Sequence, residues 1–127
     1  MVRQQFGVDG YWRVVVYYDL DFNLFDWVAY DLSRIGFSIW TVKKLYRFFR
    51  KGKIKAVTCS NPLRRSSIVI ISQSDDVGDF LNSIMHEAEH VKQHMLEYYS
   101  VEDSGEPPAY TIGYLVGRMY EGFKKLI

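Results

Sequence analysis

Three histidines, His86, His90 and His94, fall within nine residues, and the first two frame His86-Glu87-Ala88-Glu89-His90. Four residues make about one turn of an α-helix, so His86 and His90 project from one face and can grip a single metal ion. Glu87 follows the first histidine, where its carboxylate can reach a metal-bound water and take its proton. Zinc is the expected metal. Two neutral imidazoles and a carboxylate, with water in the fourth position, make a catalytic zinc arrangement; a structural site closes with four protein ligands.

The third protein ligand has four candidates. His94 continues the face of His86 and His90 but stands about 12 Å along the axis from His86, so it reads as an outer or cleft residue. Glu102 and Asp103 sit in the following loop and could fold back. Glu106 has the strongest context, because Glu106-Pro107-Pro108 opens a new helix: proline suits the first helical position, and a rigid element holds a ligand well. A carboxylate at a helix mouth is also favoured there by the dipole alone.

The element carrying the histidines is expected at about residues 77–99, opened by Ser74, Asp75 and Asp76. On a helical wheel Ile84, Ala88, Val91, Met95 and Tyr98 make one apolar stripe, with the histidines and Glu87 turned well away from it. The bland alternative, a solvated polar face, would not need every histidine on one side.

Around this helix the sequence predicts a strand at 11–18 (YWRVVVYY), then helices at about 24–35 and 39–50, ended by Gly36 and Gly52. Two further strands, 53–58 and 66–72, would pair as an antiparallel hairpin through Ser60-Asn61-Pro62, the second arm being the more apolar. A last helix runs from about 107 to 125. Its stripe is Ala109, Ile112, Val116, Met119 and Phe123, and Gly113 and Gly117 would let it approach the histidine helix closely. The expected order is β-α-α-β-β-α-α, an α+β fold in one domain over 1–127.

Composition agrees with a folded domain: 127 residues, 48% hydrophobic and 17% aromatic, enough for a core without disulfide staples. The single cysteine, Cys59, reads as reduced and structural. With no membrane-length apolar run and no signal-peptide pattern, the expectation is a soluble cytoplasmic protein without membrane contact. The net charge is +1, yet residues 43–65 hold nine of the sixteen Lys and Arg and no acid. Residues 75–106 hold nine of the fifteen acids and one base, Lys92. The basic stretch admits a nucleic-acid partner, although such a helix is usually just a solvated surface and no recognised motif accompanies it.

Taken together, H86-E-A-E-H90 followed by G105-E106-x-x-A109-Y110 resembles the gluzincin-like branch of the zincin superfamily. The likeness is greatest to small single-domain peptidases encoded by phages and prophages, and it covers about residues 79–120. It implies a zincin-like fold with a small, mainly antiparallel sheet packed against the histidine helix. An edge strand of that sheet would bind an extended peptide, a role that the 53–72 hairpin matches in position. It also implies His86, His90 and Glu106 as zinc ligands and Glu87 as general base. Tyr110 and Tyr114 are candidates to stabilise the transition state. The activity expected is zinc-dependent hydrolysis of a peptide or protein substrate. The alternative is a zinc-holding binding or structural protein of a phage or mobile element, without turnover, contacting nucleic acid through 43–65.

Overall fold

The computed structural model describes residues 1–127. Two strands open the chain, Val2–Val8 (β1) and Trp12–Tyr18 (β2), paired antiparallel with Val2 opposite Tyr18 and Val8 opposite Trp12. Asp9 and Gly10 make the turn, both at positive φ (50° and 73°), and the Tyr11 N–H donates to the Val8 carbonyl at 2.9 Å. That is the tight hairpin turn that Asp-Gly favours, because its twist matches that of the strands. β1 was not expected from its composition. Its outward positions carry Arg3, Gln5 and Gly7, and only Phe6 and Val8 are buried. An edge strand with one wet face needs few apolar residues. The expected element order is therefore corrected to β-β-α-α-β-β-α-α.

Helices Phe25–Arg34 (α1) and Ile39–Arg50 (α2) follow, then strands Ala56–Asn61 (β3) and Ser66–Ile71 (β4). Helices Val77–Tyr98 (α3) and Glu106–Phe123 (α4) complete the chain. The sheet order is β1-β2-β4-β3. Its outer pairings are antiparallel and its central one, β2 with β4, is parallel, so the sheet is mixed. The architecture is α+β in one domain, as expected, and no helix is long and apolar enough to cross a membrane.

Both faces of the sheet are covered. Val14, Val16, Tyr18, Val69 and Ile71 face α3 and α4, while Val15, Tyr17, Ile68 and Ile70 face α1 and α2. A strand buried on both sides must be apolar at every position, and this is why β2 and β4 read as continuous hydrophobic runs. β3 begins three residues later than its sequence suggested. The Asn61 side chain accepts from the Leu63 N–H at 3.1 Å and ends the strand, so the turn falls on Pro62–Arg64, with Arg65 at φ 47°.

α3 docks through four of the five residues of its predicted stripe: Ile84, Ala88, Val91 and Met95 are buried, while Tyr98 is exposed and packs edge-on against Trp12 with ring centroids 5.9 Å apart. α4 is rotated from its expected stripe. Met119 and Phe123 are buried and Ile112 and Val116 pack half-buried beside them, but Leu115 and Gly122 join the buried side while Ala109 is exposed. The predicted role of Gly113 and Gly117 is corrected, since a methyl group at either would meet open space. The close approach is made at Gly122, where an added Cβ would come within 2.5 Å of Gln4 Oε1 and 2.6 Å of Tyr18 Cε2. Both side chains are held: Tyr18 Oη donates at 2.7 Å to the Met119 carbonyl, and Gln4 Nε2 donates at 2.6 Å to that of Arg118. Gly122→Ala is therefore expected to destabilise the protein by about 1–3 kcal/mol, the usual cost of overpacking, read as a lowered denaturation midpoint with unchanged m-value.

Candidate metal centre

α3 lies beside β3, the edge strand next to β4, and the two run in step. Eight helical residues rise about 12 Å and four strand residues about 13 Å. Successive turns of α3 therefore meet alternate residues of β3. His86 and Glu87 line a pocket with Ala56, Glu87 bonds to Thr58, and His94 bonds to Ser60. The polar face of α3 thus forms one wall of a cleft whose other wall is the sheet edge.

Within this cleft His86 Nε2 and His90 Nε2 approach to 3.1 Å, with ring centroids 4.8 Å apart. Two nitrogens on a tetrahedral zinc, each about 2.0–2.1 Å from the metal, stand about 3.3 Å apart. The pair is spaced for one such ion. Glu87 completes a group in which one ligand atom from each residue lies within 4.8 Å of the others. The residue is only 4% exposed, and its Oε2 accepts from Thr58 Oγ1 at 2.7 Å. That bond orients the carboxylate and leaves Oε1 free for a water or an ion. His86, Glu87 and His90 are a donor set that could hold a divalent metal ion.

His94 stands one turn further on, its ring roughly parallel to that of His90 with centroids 6.2 Å apart. Its Nδ1 is 2.6 Å from Ser60 Oγ. Burial holds its pKa below the usual histidine value, and the neighbouring His90 adds to the lowering. Cys59 points to the opposite face of β3. Burial, and then the charge of Glu87, push its thiol up to about 11, so it is an inert core residue, as expected.

The other candidate ligands are not brought to this group. Glu106 is exposed at the first turn of α4, and the neighbouring Pro107 lines a pocket with Met95, Leu96 and Tyr99 at the far end of α3. α4 packs on the side of α3 away from β3, Phe123 lying 5.7 Å from Phe80 between ring centroids. The helix that was to carry a third ligand therefore covers the core instead of the cleft. Asp103 pairs at 2.9 Å with Lys92 Nζ, which also holds Glu89 at 2.6 Å. Glu102 is exposed in the same loop, and Tyr110 is 75% exposed on α4. Tyr114 is spent on the Gly7 carbonyl, to which its Oη donates at 2.8 Å.

Thr58 and Ser60 complete the site and were not singled out from the sequence. Their signal is the alternation Ala56, Thr58, Ser60 along a strand, hidden when Ser60 is placed in a turn. The basic residues Lys43, Lys44, Arg47 and Arg50 are exposed on α2, across the sheet from the histidines. No protein-family model matches the chain, and no match is found among curated proteins or solved structures.

Proposed function

We propose that the protein is a small zinc-dependent peptidase whose cleft lies between α3 and the edge strand β3. One observation carries the reading: two histidine nitrogens stand 3.1 Å apart at zinc-ligand spacing, and a buried carboxylate shares their cluster. His86 and His90 would hold the ion, and zinc when bound supplies Lewis-acid activation of water and of the scissile carbonyl. Glu87, aimed by Thr58, accepts the proton lost by the attacking water at Oε1 and returns it to the departing amine. β3 is an edge strand, with unpaired backbone groups on one side that can hold an extended peptide by strand addition. Of the two hairpin arms, β3 takes this part; β4 is interior and fully buried. The basic face of α2 lies outside this cleft and plays no part in the reading.

The direct test incubates zinc-loaded protein with a mixture of proteome-derived peptides and identifies new termini by mass spectrometry. Cleavage that stops on chelation and returns with zinc is the expected result. Stoichiometric zinc binding with no new termini would instead support the alternative of a zinc-holding protein without turnover.

A further inference from the structure

A hydrogen-bond chain runs from the core to the cleft and ends on His94. Trp12 Nε1 donates to Ser67 Oγ at 2.9 Å, Ser67 Oγ lies 2.7 Å from Ser60 Oγ, and Ser60 Oγ lies 2.6 Å from His94 Nδ1. Its start is rigid: Trp12 is 2% exposed and Ser67 is fully buried. An indole nitrogen can only donate, so Ser67 Oγ accepts at that end, and Ser60 Oγ is the acceptor within the chain for the Ser67 hydrogen. Ser67 receives the Trp12 hydrogen and passes its own to Ser60, and Ser60 passes its own to Nδ1. In this arrangement alone every hydrogen of the chain meets an acceptor within it. If Nδ1 carried the proton, either the hydroxyl hydrogen of fully buried Ser67 would lack an acceptor, a costly omission, or that of half-buried Ser60 would have to leave the chain for solvent.

We propose that this chain holds neutral His94 as the Nε2–H tautomer, making it a fixed hydrogen-bond donor for a peptide carbonyl bound in the cleft one helical turn beyond His90. The proposal rests on the peptide-binding reading of the cleft. His94 lines a cavity of about 420 Å³ with Ser60, Pro62, Glu97 and Tyr98, and its ring stands beside that of His90, centroids 6.2 Å apart. With Nδ1 engaged by Ser60, Nε2 is the one polar atom of the ring left for a ligand. A donor without acceptor character selects a carbonyl oxygen and rejects an N–H at that position. His94 is therefore a substrate-positioning residue; it is not a third zinc ligand.

The tautomer is tested on metal-free protein by ¹⁵N–¹H correlation of the imidazole nitrogens. Protonated Nε2 and bare Nδ1 are expected, with a shift towards mixed tautomers in Ser60→Ala. A proton on Nδ1 in the wild type overturns the proposal whatever the protein's activity. The donor role is tested by calorimetric titration of the zinc-loaded protein with trialanine hydroxamate, which binds without turnover. His94→Ala is expected to weaken binding about 10-fold, and His94→Gln, which keeps an N–H donor, to restore it to within about threefold, with zinc content unchanged throughout. Equal affinity in His94→Ala overturns the proposal. Binding that depends on His94 without any peptide hydrolysis would sustain it and refute the peptidase reading. Failure of the wild type to bind the hydroxamate would overturn both.

Discussion

Glu87→Gln should leave zinc bound at wild-type stoichiometry while lowering peptide hydrolysis by about 10²–10⁴-fold, the usual contribution of a positioned general base. Glutamine keeps the size of the side chain, and its carbonyl oxygen can still accept from Thr58 Oγ1, which now bonds Oε2 at 2.7 Å. What it loses is the capacity to take a proton. The variant also separates two roles that one carboxylate in this cluster could play. If Glu87 is the base, zinc content measured by atomic absorption stays constant and only kcat falls. If Glu87 is itself the third ligand beside His86 and His90, zinc is lost with the charge, and the centre is a holding site without a base. The second outcome would support a zinc-binding protein that does not turn over.

The second large effect is in metal affinity. His86→Ala or His90→Ala should weaken zinc binding by at least about 100-fold, more than typical losses of outer partners, because each removes one of only two imidazoles. Glu106→Ala should leave zinc affinity unchanged, as measured by competition with a chromophoric chelator. This contrast follows from packing. Glu106 opens α4, whose buried side chains Leu115, Met119 and Phe123 face the same core cluster as Ile84, Ala88 and Val91 of α3. The histidines lie on the other side of α3, towards β3. A loss of zinc in Glu106→Ala equal to that in His86→Ala would show that α4 swings its first turn around α3 to close the site.

Much of the local architecture was legible because it follows from short-range rules. Ser38 accepts from the Thr41 N–H at 3.3 Å and starts α2 where a capping serine should. Asp76 accepts from the Gly78 N–H at 2.8 Å and starts α3 in the same way. The stripe of Ile84, Ala88, Val91 and Met95 specified which side of α3 would be buried. It followed that the histidines would face away from that side. β1 escaped because a half-exposed edge strand needs only two buried side chains, Phe6 and Val8, although Asp9-Gly10 marked the hairpin. The end of β3 escaped because Asn61 and Pro62 both suit a turn, and only the Asn61 bond to Leu63 decides which residue turns.

By itself the sequence determined the pairing of His86 with His90, since that depends only on the helical period, and it placed Glu87 next to the first of them. It determined the two-sided burial of β2 and β4 through their unbroken apolar runs. Which strand forms the cleft, and whether Glu106 joins the histidines, were decided by tertiary structure alone. Those facts depend on sheet order and on the side of α3 that α4 covers, contacts between residues far apart in the chain that carry no periodic signal. The fold put β3 at the sheet edge, set Thr58 and Ser60 against successive turns of α3, and sent Glu106 to the far end of that helix. The histidine pair was written locally, and its surroundings were assembled at long range.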